Sequence, residues 1–211
     1  ALGRRAVIVS FCAVAALGSL VYGHHLFAVG LGPLAARAFM TLTVAVGVPS
    51  SVVALSWFAT LWGASLRMNA ALLYALGSIE LFVLGGLTGI PLGAVTTDLY
   101  LHGTAFVVGH FHLVMASSLT LGLCAALHRW FPELSGRALS ERHGRWHATL
   151  TFALVHVVFV GMLGLGLAGV PRRVSALTYL PSLAPLAPWN RLLSLAAFAL
   201  GLTQLLLAWS V

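Results

Sequence analysis

The sequence contains no lysine and only four acidic residues, Glu80, Asp98, Glu133 and Glu141, among 211 positions. Charged residues make up 7% of the chain, against about 25% in an ordinary soluble domain. That scarcity excludes a soluble enzyme and a disordered tail, because too few polar side chains exist to coat a globule or solvate an open chain. Cysteine is almost absent as well. Cys12 and Cys124 both lie in apolar runs, so they read as small buried hydrophobes, and a secreted disulfide scaffold is excluded. No cleavable signal precedes the first apolar run. With only five residues ahead of that run, the chain reads as a fragment, or one half, of a larger protein.

What remains is apolar: 60% of the residues are hydrophobic, and the mean hydropathy is +1.02. A membrane-spanning helix needs about 20 mostly apolar residues. Six runs qualify, near Ala6–Tyr22, Ala38–Trp62, Ala70–Pro91, Thr104–Trp130, Ala148–Gly169 and Leu192–Val211. They are too long and too uniformly apolar for barrel strands. The expectation is therefore an all-α membrane protein, a single transmembrane domain over residues 1–211 with six helices. Pro49 should kink the second span, and the polar stretch Phe131–His147 reads as a loop. The eleven arginines edge the spans and form no nucleic-acid patch. Seven of them fall on one side if Arg4 and Arg5 are inside, and Arg37, Arg172, Arg173 and Arg191 fall outside.

The nine histidines carry the chemistry. An ionisable side chain at membrane depth marks a functional site by default. His110 and His112 lie in the fourth span. Two residues apart on a helix means about 200° around the axis, so they serve two different partners and not one ion. Two metals or two haems flanking one helix would satisfy this, as would hydrogen bonds to neighbouring helices. His24 and His25 follow the first span and, in a turn, can reach one copper or zinc ion together. An interfacial histidine pair is the plainer alternative. Asp98 and His102 precede the fourth span. Arg172 and Arg173, on the side where the charge rule disfavours them, suit carboxylates such as propionates. All eight fall on the outer side or in the outer third. His128, His143 and His147 read as solvated, near the inside loop, and His156 as a satisfied core histidine with no partner visible in the sequence.

These residues resemble the C-terminal half of subunit I of the haem–copper terminal oxidases, the cytochrome c oxidase family. The resemblance rests on Val21-Tyr-Gly-His24-His25-Leu-Phe-Ala-Val-Gly30, Val48-Pro-Ser-Ser51, Ser56-Trp-Phe-Ala-Thr-Leu-Trp-Gly63, Gly85-Gly-Leu-Thr-Gly-Ile90, Asp98 to His102, Val107-Val-Gly-His110-Phe-His112 and Gly169-Val-Pro-Arg172-Arg173. It covers about residues 19 to 175. It implies that the six spans are the second half of a twelve-helix bundle.

By that resemblance His24 and His25 are two ligands of the active-site copper. His110 is the axial ligand of the high-spin haem and His112 an axial ligand of the low-spin haem. Asp98, His102, Arg172 and Arg173 surround the haem propionates. The activity implied is reduction of O2 to water, coupled to electron transport and proton translocation. The partners implied are the N-terminal half of subunit I, subunit II and other subunits, and cytochrome c or quinol as electron donor, with membrane lipid around them and no nucleic acid. The location implied is a bacterial or archaeal cell membrane, with the ligands toward the outer side. Proton-path candidates are Ser50, Ser51, Ser56 and Thr60, whose hydroxyls could equally serve helix packing.

The chain also departs from the family. Val53 stands where a proton-path lysine is usual. Gly103 replaces an acid after His102, which argues against a magnesium site. The segment before Gly166 lacks the usual Pro and His. Two other readings are a member related to nitric oxide reductases, for which Glu80 is the one glutamate inside a span, and a transporter bundle with histidine proton relays.

Overall fold

A computed structural model describes residues 3–174 and 176–209. Among them six helices are long and apolar enough to cross a membrane: Arg4–Val29, Pro33–Leu61, Ala70–Gly93, Ala105–Ser135, Glu141–Leu167 and Ala184–Ala208. The last two residues of the expected sixth span, 210 and 211, lie outside the described residues. The chain is an all-α membrane protein.

The first span is α1 (Arg4–Leu20), continued by a 3-10 segment, Val21–Val29. It therefore runs past the expected end at Tyr22, and His24 and His25 sit on helix, not in a turn. Gly30 ends it at φ 85°, a left-handed conformation that glycine adopts without a Cβ clash. The second span starts earlier than Ala38, because Pro33 occupies the first helical position, where its missing N–H costs nothing. It is split into α2 (Pro33–Ala45) and α3 (Gly47–Leu61). The break falls one turn before Pro49, whose ring crowds the carbonyl four residues back, at Ala45. α4 (Ala70–Gly93) passes through Pro91 and ends two residues beyond the expected boundary. A proline in the last turn removes one hydrogen bond without stopping the helix. α5 is the short helix Val95–Leu101.

The fourth span joins α6 (Ala105–Phe111), a π segment, His112–Ser117, and α7 (Ser118–Ser135). The fifth joins α8 (Glu141–Val155), a second π segment, His156–Val160, and α9 (Gly161–Leu167). Each π segment opens on a histidine. α10 (Ala187–Ala208) starts five residues before Leu192, with proline again in its first turn.

The expected loop at Phe131–His147 is mostly helix. α7 continues to Ser135 and is closed by Gly136 at φ 70°. α8 begins at Glu141, capped by Ser140, whose hydroxyl accepts from the His143 N–H. Only 136–140 connect them. These caps pull His128, His143 and His147 onto helices.

The chain folds as two compact units. One comprises Ala1–Leu66 with Gly86–His102, the other Arg67–Gly85 with Gly103–Val211. In the first, α1 packs on α3, and the 3-10 segment packs on α2 and α5. A Cβ on Gly23 would run into the ring of Phe39, so glycine is what lets the histidine segment lie against α2. In the second, α6 packs on α9 and α8 on α10. Helix α6 meets α9 and the π segment before it at glycines, one from each side. A Cβ on Gly166 would overlap the Phe106 backbone nitrogen, and one on Gly109 would lie 2.6 Å from the Phe159 carbonyl oxygen. Cys124 is buried here, as expected, whereas Cys12 is exposed on α1.

Candidate metal and haem sites

In the first unit, the Nε2 atoms of His24 and His25 lie 3.1 Å apart. Nδ1 of His24 is 3.1 Å from the Thr43 hydroxyl. Thr43 donates its own proton to the Phe39 carbonyl, at 2.6 Å, so toward His24 its oxygen accepts. Nδ1 of His24 thus carries the hydrogen and Nε2 the lone pair. Two imidazole nitrogens each about 2 Å from one ion can keep a 3.1 Å separation. A ligand histidine whose other nitrogen donates to an oxygen is the usual support for such a site. The residues present therefore fit a soft or borderline cation, with Thr43 as an orienting group that the sequence did not reveal. Among the described residues no cluster of three or more His, Cys, Asp or Glu forms a complete metal site.

Asp98 and His102 meet one turn apart on α5, with Nδ1 of His102 2.8 Å from the Asp98 carboxylate. Asp98 is buried at 3% exposure. Of the four proton-path candidates, Ser56 and Thr60 donate to carbonyls on their own helix, at Val52 and Ser56, both at 2.7 Å.

In the second unit, the two fourth-span histidines face different helices. Nδ1 of His110 donates to the Gly85 carbonyl on α4, at 3.0 Å. Nδ1 of His112 donates to the Val108 carbonyl, at 2.8 Å, and its ring stacks on Phe159 of the second π segment at 4.6 Å and 17°. A carbonyl oxygen only accepts, so both rings hold a hydrogen on Nδ1, which leaves Nε2 as the nitrogen that could bind a haem iron. A Cβ on Gly85 would approach Val114 to 2.5 Å, which keeps α4 close enough for its carbonyl to reach His110.

Arg172 is fixed by a backbone bond from its N–H to the Gly103 carbonyl, at 2.9 Å, beside the bridge between Thr104 and Pro171. Arg173 has φ 66°, a left-handed conformation that a non-glycine residue rarely adopts. Arg172 and Arg173 line an open cavity of about 390 Å³ together with Val108, Phe111, Met162 and Asn190. Apolar walls with two cations at the rim suit a flat apolar group bearing carboxylates.

The histidines expected near the inside loop are not solvated. His147 is 0% exposed. Tyr74 Oη lies 2.6 Å from its Nδ1, and its Nε2 faces Gln204 Oε1 at 3.2 Å and Thr151 at 3.3 Å. The Gln204 amide nitrogen donates to the Leu200 carbonyl, so its oxygen is what faces His147. His147 is thus neutral, hydrogen on Nε2, accepting from Tyr74. His128 lies under Gly144 with its ring 4.9 Å from that of Tyr74. Partners 57 and 73 residues away gave no local signal. His156 is satisfied, as expected, and it has a distant acidic partner in Glu80.

The sequence model of the family described as Cytochrome C and Quinol oxidase polypeptide I matches residues 1–199. The chain is similar to cytochrome c oxidase subunit 1 of Thermostichus vulcanus, 40% identical over 199 residues, covering 94% of this chain and 35% of that protein. It is 36% identical to cytochrome c oxidase subunit 1 of Bacillus subtilis, over 97% of this chain and 32% of that one. It is 35% identical to cytochrome c oxidase polypeptide 1 of Halobacterium salinarum, over 97% and 34%. A solved structure titled as a heme-copper terminal oxidase dimer shares the fold, with a TM-score of 0.73 at 21% identity, over 89% of this chain and 38% of that chain. The chain spans about a third of the length of these relatives. The matches do not favour a nitric-oxide-reductase-like member or a transporter.

Proposed function

The chain belongs to the cytochrome c and quinol oxidase polypeptide I family, and we propose that it supplies half of the catalytic centre of a respiratory terminal oxidase that reduces O2 to water. The observation that carries this reading is the pair of rings on one turn of the fourth span. His110 is oriented by the Gly85 carbonyl and His112 by the Val108 carbonyl, each through Nδ1. His110 would hold a high-spin haem and His112 a low-spin haem. His24 and His25 are two ligands of copper, with Thr43 holding the His24 ring.

Bound at these residues, haem and copper supply the redox chemistry, which protein side chains cannot provide. The chain's own groups orient and insulate. Carbonyl-anchored imidazoles turn without reorganisation cost toward the metal. Phe159 stacked on His112 fixes the plane of that ring. Arg172 and Arg173 would neutralise propionate carboxylates, and Asp98 with His102 is a further candidate for that role. The apolar helices exclude water.

The remaining ligands and the electron donor, cytochrome c or quinol, come from the rest of subunit I, from subunit II and from other subunits. In this reading the chain is the second half of a twelve-helix bundle whose ligands face the outer side. Ser50, Ser51, Ser56 and Thr60 are its proton-path hydroxyls. The backbone bonds of Ser56 and Thr60 support a packing role for those two.

The test is made on the assembled oxidase. His112→Ala removes the low-spin haem spectrum and keeps copper. A double His24→Ala, His25→Ala variant loses copper and keeps low-spin haem. Retention of both centres in both variants overturns the assignment.

A further inference from the structure

The geometry points to a second ionisable site in the membrane, separate from the metal and haem ligands: we propose that Glu80 on α4 and His156 on the second π segment bind one proton jointly. Nδ1 of His156 lies 2.8 Å from the Phe152 carbonyl, which can only accept, so that nitrogen carries a hydrogen. Nε2 lies 3.2 Å from both Glu80 carboxyl oxygens. With Nδ1 protonated, a neutral ring would turn a bare lone pair toward a carboxylate. The contact holds only with one more proton, as imidazolium against carboxylate or as neutral imidazole accepting from a carboxylic acid. Both forms have zero net charge and differ by the position of one hydrogen along the contact.

That neutrality makes the pair tolerable at this depth. Glu80 is the eleventh of 24 residues in α4, and a lone charge there would be costly. The side chains are 44% and 28% exposed in this chain, so neither is sealed in its own core. On α8, which packs against the π segment, Glu141 pairs with Arg145, and Arg142 and His143 stand in the first turn, far along the helix from His156. Tyr74 bonds to His147, and His110 bonds to the Gly85 carbonyl. Arg191 stands at the loop end of α10. Unlike Ser56 and Thr60, whose hydroxyls are tied to their own helix, this pair can hold a proton. Ring geometry alone carries the pairing, and it stands whether or not the haem–copper reading does.

The test uses the full subunit containing this chain in lipid bilayers, labelled with 15N-histidine, with His156 assigned by the resonance lost in His156→Asn. The expected result is a protonated Nδ1 and an Nε2 resonance reporting a proton shared with a carboxyl. In Glu80→Gln, a near-isosteric change, Nε2 should collapse to that of a plain neutral ring. In infrared titration of the unmodified protein, the carboxyl and imidazole bands should change in one step of one proton. An unprotonated Nδ1, an Nε2 resonance indifferent to Glu80→Gln, or two separate titration steps overturns the proposal.

Discussion

The chemistry of this chain turns on which ring nitrogen of each histidine carries a hydrogen, and oxygens decide that. His110, His112 and His156 each give Nδ1–H to a backbone carbonyl. His24 gives its Nδ1–H to a threonine whose own proton is already donated. Thr43→Val removes that acceptor without changing side-chain volume, and copper affinity should fall by about 10–100-fold, read as copper retained after dialysis against a chelator. Arg173 bears a left-handed backbone conformation. Arg173→Gly relieves a strain of about 1 kcal/mol, so the assembled oxidase should melt at a higher temperature while its haem is extracted more readily. Only part of this was legible in the sequence. His24, His25, His110 and His112 stand out because histidine is improbable in an apolar run. Thr43 does not, since threonine is ordinary in a membrane helix and only its position against the His24 ring gives it a role.

Among the elements, close approach depends on glycine. α6 touches α9 where Gly166 meets the Phe106 backbone, and touches the second π segment where Gly109 meets the Phe159 carbonyl. Gly166→Leu has no room and must push the helices apart. It should destabilise the subunit by roughly 1–3 kcal/mol and disturb the low-spin haem spectrum, because Phe159 loses its seat on His112. Thermal melting with absorbance recorded in parallel checks both effects. Tyr74, fully buried, ties α4 to α8 through His147. Tyr74→Phe leaves the His147 Nδ1 without its donor and should cost about 1–3 kcal/mol, seen as a lower melting temperature with the haem spectra unchanged. The six spans were legible in the sequence because lipid demands length and apolarity, which composition reports. Their ends were not. Pro33, Gly136 and Ser140 set three of them through local backbone geometry, and the stretch expected to be a loop between Phe131 and His147 is two helix ends joined by five residues.

At the scale of the whole molecule, the chain spans about a third of its relatives' length, and its described residues contain no complete metal cluster. Expressed alone, it should therefore show no six-coordinate low-spin haem spectrum, and co-expression of the preceding part of the subunit should restore one. A low-spin spectrum from the isolated chain would contradict this. The sequence by itself determined the solvent and the number of spans, and it singled out the histidines proposed as ligands. Each of these is set by residue type counted along the chain: apolar length for lipid, imidazole for metal. Only the tertiary structure decided which way the rings are turned and which polar groups pair. Those depend on atoms brought within hydrogen-bonding distance from residues such as Glu80 and His156, 76 positions apart, and a one-dimensional pattern carries no record of that distance.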